Sequence, residues 1–275
     1  MSAREVLTPL LNCGRNAVRH PWPAAAVLLV VLVVAAAPPV PLLDKADRYA
    51  YAVCHRLPEH SYFVAGRQLP LCARCSGTYL GALAGLGALL GLGRGRAGRF
   101  PARKFLPVFG AFMAAWAVDG LNSYLDLFLG TTFLYEPNNL LRLITGTLEG
   151  LVIAAYLLPL FNLSVWAAAE QVPVLERWRD LGGLLAAGAV VVGLVAGAWP
   201  PLLYPLALLS GAAVVLLVGL VSGVFVLLIW RREGRAGTWR QVVLPLAVGL
   251  LVGWLLLAAI AGLRDWLTVA FALPF

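Results

Sequence analysis

One stretch of the chain gathers most of its reactive side chains. It reads Cys54-His55-Arg56-Leu57-Pro58-Glu59-His60-Ser61, then Gly66, then Pro70-Leu71-Cys72-Ala73-Arg74-Cys75. Three of the four cysteines and two of the three histidines fall within these 22 residues. The Cys72-x-x-Cys75 pair sets two thiols about one helical turn apart, where they can chelate a soft or borderline metal ion or close a reducible disulfide. Cys54, Cys72 and Cys75 with His55, or with His60 as the alternative fourth ligand, make a three-thiolate, one-imidazole set suited to zinc. The competing chemistry is a Cys72/Cys75 thiol–disulfide couple with Cys54 as partner thiol, and a bland alternative is simple packing of the loop. Counting favours metal, because disulfide pairing leaves one thiol over. An exterior loop would favour oxidation and pulls the other way. A metal site requires the chain to turn back between Cys54 and Cys72, and Gly66 and Pro70 supply the turn chemistry. The three sulfurs should then lie about 4 Å apart.

A second constellation follows. Asp119, Asn122 and Asp126 recur at i, i+3 and i+7 on one helical face, and Arg142, Thr145 and Glu149 repeat that spacing, with Asn139 one turn before. Ionisable groups inside a membrane cost a few kcal/mol each even on mild scales, so they need partners. Asp119 or Asp126 with Arg142 is the expected ion pair, within a polar pocket beneath the Cys/His loop.

These residues resemble a family of small prokaryotic integral membrane proteins grouped as a domain of unknown function. Its hallmark is C-H-x-x-P-E-x-S, a glycine, then P-L-C-A-R-C-x-G entering a span, with a later D-G and N-x-L-R-x-x-T-G. The chain supplies Cys54, His55, Pro58, Glu59, Ser61, Gly66, Pro70, Leu71, Cys72, Arg74, Cys75 and Gly77, then Asp119, Gly120, Asn139, Arg142, Thr145 and Gly146. His60 departs from the basic residue expected before the serine. The resemblance covers about 45–155 and implies a membrane protein without implying an activity.

The elements that must hold these groups are set by composition. Of 275 residues, 61% are hydrophobic and 12% charged, against roughly 25% charged in soluble domains. Continuous apolar runs of about twenty residues recur, each able to cross a hydrocarbon core of ~30 Å. This excludes a soluble globular domain and an outer-membrane barrel, whose strands alternate. The expected fold is all-α, a polytopic membrane bundle of about seven spans with one extramembrane Cys/His loop. The spans are 22–43, 75–93, 105–129, 139–161, 181–198, the run from the 199–201 turn to 230, and 242–263. Residues 1–43 form the amino-terminal segment and first span, 44–155 a core holding the chemistry, and 156–275 a linker and the last three spans.

The net charge of +8 comes mainly from arginines flanking the apolar runs, a pattern of topology signals and not of nucleic-acid binding. With the amino terminus cytoplasmic, fourteen cationic side chains fall inside and six outside, which places the Cys/His loop extracytoplasmic in a prokaryotic plasma membrane. Gly77, Gly81 and Gly85 form a small-residue stripe for close helix approach, within the chain or in a homo-oligomer. Three functions compete: a zinc-binding membrane protein serving transport or catalysis, a thiol–disulfide oxidoreductase passing electrons to quinone, and a small-solute transporter. No phosphate loop, H-E-x-x-H or serine elbow is present, and no reaction is specified.

Overall fold

The computed structural model describes residues 40–130 and 134–271. The expected first span, Cys13 and His20 therefore fall wholly or mostly outside the described residues. Seven α-helices are described: α1 Leu42–Tyr51, α2 Ala73–Gly91, α3 Leu106–Leu129, α4 Asn139–Val165, α5 Trp178–Ala196, α6 Leu203–Ile229 and α7 Trp239–Phe271. Five segments, Arg103–Leu127, Asn139–Val165, Trp178–Ala196, Pro200–Ile229 and Trp239–Phe271, are long and apolar enough to cross a membrane. They coincide with the last five expected spans. Helix α2 has spanning length, but Arg74, Ser76, Thr78 and its glycines leave it less apolar than those five. The architecture is an all-α membrane bundle.

Apolar stripes and glycines set the packing. Helices α2 and α4 lie in intimate contact because each offers glycine where the other's backbone passes. A β-carbon at Gly77 would lie 2.7 Å from Thr147 N and closer still to Leu143 O, and one at Gly81 would lie 2.9 Å from Thr147 O. From the α4 side, Gly146 meets the Arg74 carbonyl and Gly150 the Thr78 carbonyl. The stripe expected on α2 is thus used inside the chain. Helices α6 and α7 repeat the device, Gly219 and Gly223 against Gly249 and Gly253. Leu86, Leu89, Leu151 and Leu184 fill the core between α2, α4 and α5.

Two features outside the helices matter. Phe63–Val64 (β1) and Arg67–Gln68 (β2) form a tight antiparallel hairpin. Its two-residue turn needs Ala65 and Gly66 in the left-handed region, at φ 50° and 78°, which fits the role expected of Gly66. Val64 and Leu69 are fully buried against Leu143, Val191 and Leu206, so the hairpin is plugged into the helix ends. At the opposite end Ala97–Arg99 (β3) pairs in parallel with Glu170–Pro173 (β4), an element the apolar pattern did not signal. Asn162 donates there to Ala97 O (2.9 Å), one of the few buried polar contacts far from the cysteines.

Candidate metal centre and polar cluster

Helix α1 ends at Tyr51, and the chain turns through Cys54 before the short helical turn Pro58–His60. The hairpin then returns it to Cys72, the N-cap of α2. The result is the convergence that a chelate requires. The sulfurs of Cys54, Cys72 and Cys75 all lie within 4.8 Å of one another, and all three cysteines are free thiols. Cys54 Sγ accepts hydrogen bonds from the amides of Arg56 (3.4 Å) and Cys72 (3.3 Å). The Cys72 and Cys75 thiols, and then these amides, hold the Cys54 thiol far below its ordinary range against the opposing effect of burial. Sharing a proton with that sulfur pushes Cys72 up to about 11.

The surroundings are apolar. Cys54 is buried, and Leu71, Val214 and Leu257 close the site with Val218 and Ile260. Arg264 near the end of α7 braces it, donating from Nη1 to Tyr51 O and to Cys54 O (2.9 Å) and stacking 4.0 Å from the Tyr51 ring centre. A second brace ties the hairpin to α1: Arg67 bonds Asp44 (2.6 Å) and Asp47 (2.9 Å), and Arg56 pairs with Asp47 (3.4 Å). Neither histidine joins the sulfurs. His55 is exposed on the turn after Cys54. His60 faces the charges of Arg142, Glu59, Arg74 and Asp126, and burial, followed by the Arg142 charge, lowers its pKa.

The polar residues converge on the opposite face of α2. Cys72, Cys75 and Tyr79 mark one side of that helix, whereas Arg74 and Thr78 point to α3 and α4. The ion pair expected between Arg142 and Asp119 or Asp126 is not formed. Arg74, between the two cysteines, takes Asp119 instead, donating from Nη2 and from Nε (3.1 Å) to Oδ2 and from Nη2 to Asp119 O (3.0 Å) and Ser123 Oγ (3.0 Å). Tyr135 donates to Asp119 Oδ1 (2.9 Å) and Thr145 to Oδ2 (3.3 Å). Arg74 wins because the glycine contacts bring the first turn of α2 against α4, with α3 alongside. The polar cluster therefore lies beside the thiols, across the α2 backbone, and not beneath them.

The remaining expected pocket residues are distributed around this pair. Asn122 holds the loop before α4, accepting from Leu134 N (2.9 Å) and donating to Tyr135 O (2.9 Å). Asn139 donates to Glu59 O (3.1 Å) and Ser61 O (3.4 Å), tying α4 to the turn that carries His60. Glu149 stands deeper and accepts from Thr78 (2.7 Å). Asp126 is half-buried at the rim.

Comparison with known proteins meets this region and little else. Residues 54–156 match the model of a family described as "Predicted membrane protein (DUF2085)". An uncharacterized protein of Methanocaldococcus jannaschii is 31% identical over 109 residues, 40% of this chain and 64% of that one. One from Methanothermobacter thermautotrophicus is 31% identical over 111 residues, 39% of this chain and 85% of its own length. The chain belongs to this family. No solved structure matches the chain.

The family segment begins at Cys54 and runs into α4, so it contains every sulfur of the triad and the whole polar cluster. Arg264 lies outside it. The expected ion pair named Arg142 and not Arg74, and Arg264 was no part of the expected site. The usable signal for Arg264 was a lone arginine near the end of a long apolar helix, where a charge needs a partner.

Proposed function

We propose that the chain is an integral membrane protein holding a zinc ion on Cys54, Cys72 and Cys75. The observation that carries this reading is the convergence of three free sulfurs, two at the start of α2 and one from the turn after α1, with two backbone amides directed at Cys54 Sγ. Amide donors of this kind stabilise a thiolate, the form a metal requires. The sulfur spacing suits tetrahedral chelation, and the donor set is soft. Three protein ligands leave a fourth position, the arrangement associated with a reactive metal in contrast to a purely structural one. His55, adjacent to Cys54, is the nearest imidazole in sequence, and it stands exposed outside the sulfur cluster. A bound ion would act as a Lewis acid there, while Arg264 and the hairpin keep the sulfurs in place.

The charge distribution supports an amino terminus in the cytoplasm. Arg94, Arg96, Arg99, Arg103, Arg177 and Arg179 gather at the helix ends away from the cysteines, so the thiols face the exterior of a prokaryotic plasma membrane. Three adjacent thiols in an oxidising compartment stay reduced most readily when a metal holds them. The redox reading uses the same sulfurs, and closure of any pair into a disulfide would remove the chelate. Cobalt substitution tests the proposal. Thiolate-to-cobalt charge-transfer absorption should appear with the wild-type protein and vanish with Cys54→Ser. Its absence in reduced wild type would reject the centre.

A further inference from the structure

One cation of the polar cluster is left without a carboxylate in contact among the described residues. Asp119 is engaged on both oxygens: Tyr135 donates to Oδ1 and Arg74 to Oδ2. That balances Arg74 and leaves Arg142. Arg142 is only 5% exposed, yet it makes no ion pair among the described residues. Among the described residues its guanidinium donates once, from Nη1 to Asn139 Oδ1 (3.1 Å), and its buried Nε has no partner. Asp119, the Cys72 sulfur and Asp126 act on it only at a distance, and Arg74 repels it. A buried cation left this way costs several kcal/mol unless a counter-charge arrives. Because Arg142 also lies one turn into a 27-residue helix, the helix dipole adds to the local positive potential.

We propose that Arg142 anchors an oxyanion site, which accepts a phosphate or carboxylate group between the start of α4 and the turn carrying His60. The planar guanidinium fork matches two oxygens of such a group. Asn139, His60 and Tyr135, all half-buried, lie near it. A free solute and a lipid headgroup present the same chemistry. The site lies across α2 from the thiols and does not depend on their holding a metal.

The test uses the full chain in zwitterionic nanodiscs at low ionic strength, following thermal unfolding of wild type, Arg142→Met and Arg142→Lys. Three arms add inorganic phosphate, acetate, or phosphatidylglycerol in place of part of the zwitterionic lipid. Without added anion, Arg142→Met should unfold at or above the wild-type temperature, because an unpartnered charge has been removed. Wild type should shift upward saturably in at least one arm, Arg142→Lys less, and Arg142→Met not at all. A shift with phosphate or acetate assigns a solute, and one with phosphatidylglycerol alone assigns a lipid. Metal content of Arg142→Met should equal that of wild type. The proposal is overturned if Arg142→Met is less stable than wild type without anion, matched by an equal loss in Asp126→Asn. It is equally overturned if no arm shifts wild type more than Arg142→Met.

Discussion

Replacing Arg74 with methionine should be among the most damaging changes in the chain that leave all three cysteines intact. Asp119 has a side chain only 1% exposed and loses its counter-ion, whereas Arg74 itself is 21% exposed. Removing one partner of a buried pair costs about 3–5 kcal/mol. Tyr135 and Thr145 still donate to the carboxylate, each worth about 0.5–1.5 kcal/mol net, so the lower end, about 3 kcal/mol, is expected. Arg74→Lys should recover only part, because an ammonium lacks the planar guanidinium fork that presents Nε and Nη2 together to Asp119 Oδ2. Denaturant unfolding in detergent, run as a double-mutant cycle with Asp119→Asn, isolates the interaction. A coupling of about 2–3 kcal/mol is expected, with Arg142→Met and Asp119→Asn nearly additive. Coupling of Arg74 to Asp119 below about 0.5 kcal/mol, or a larger coupling through Arg142, would refute the pairing.

Three further outcomes are expected. Gly77→Ala should loosen the α2–α4 contact and lower stability, since its β-carbon meets backbone, whereas Gly87→Ala, with nothing within 4 Å, should raise stability by about 0.5–1 kcal/mol through helix propensity, both read by denaturant unfolding. Arg264→Met should lower zinc affinity by about 10- to 100-fold, the range for lost supporting contacts around a metal, as measured by chelator competition. His60→Ala should leave metal binding untouched because that ring faces Arg142 and Asp126, and a loss of metal on this substitution would place His60 in the centre after all.

Continuous apolar runs made five spanning helices legible, because length and hydropathy alone decide them. The thiol triad was legible from spacing and from Gly66, whose positive φ makes the hairpin that returns Cys72 to Cys54. The partner of Asp119 was not. Reasoning from consecutive spans matched α3 with α4, but glycine-to-backbone contacts seat the first turn of α2 there, and such contacts join residues some seventy positions apart. Pairing across that distance leaves no periodic trace in a single sequence. The face of α2 was legible in principle: 72, 75 and 79 diverge from 74 and 78 on a helical wheel. The bracing of Cys54 by Arg264 spans 210 positions and had no such signature.

The central claim rests on whether the three sulfurs hold a metal. Protein extracted from membranes without chelator or added metal should be analysed for metals and titrated for thiols, both as isolated and after denaturation with chelator. About one zinc per chain is expected, with the thiols of Cys54, Cys72 and Cys75 unreactive before denaturation and reactive after it. Metal-free protein with a disulfide joining two of these three cysteines would contradict the account and favour the redox couple.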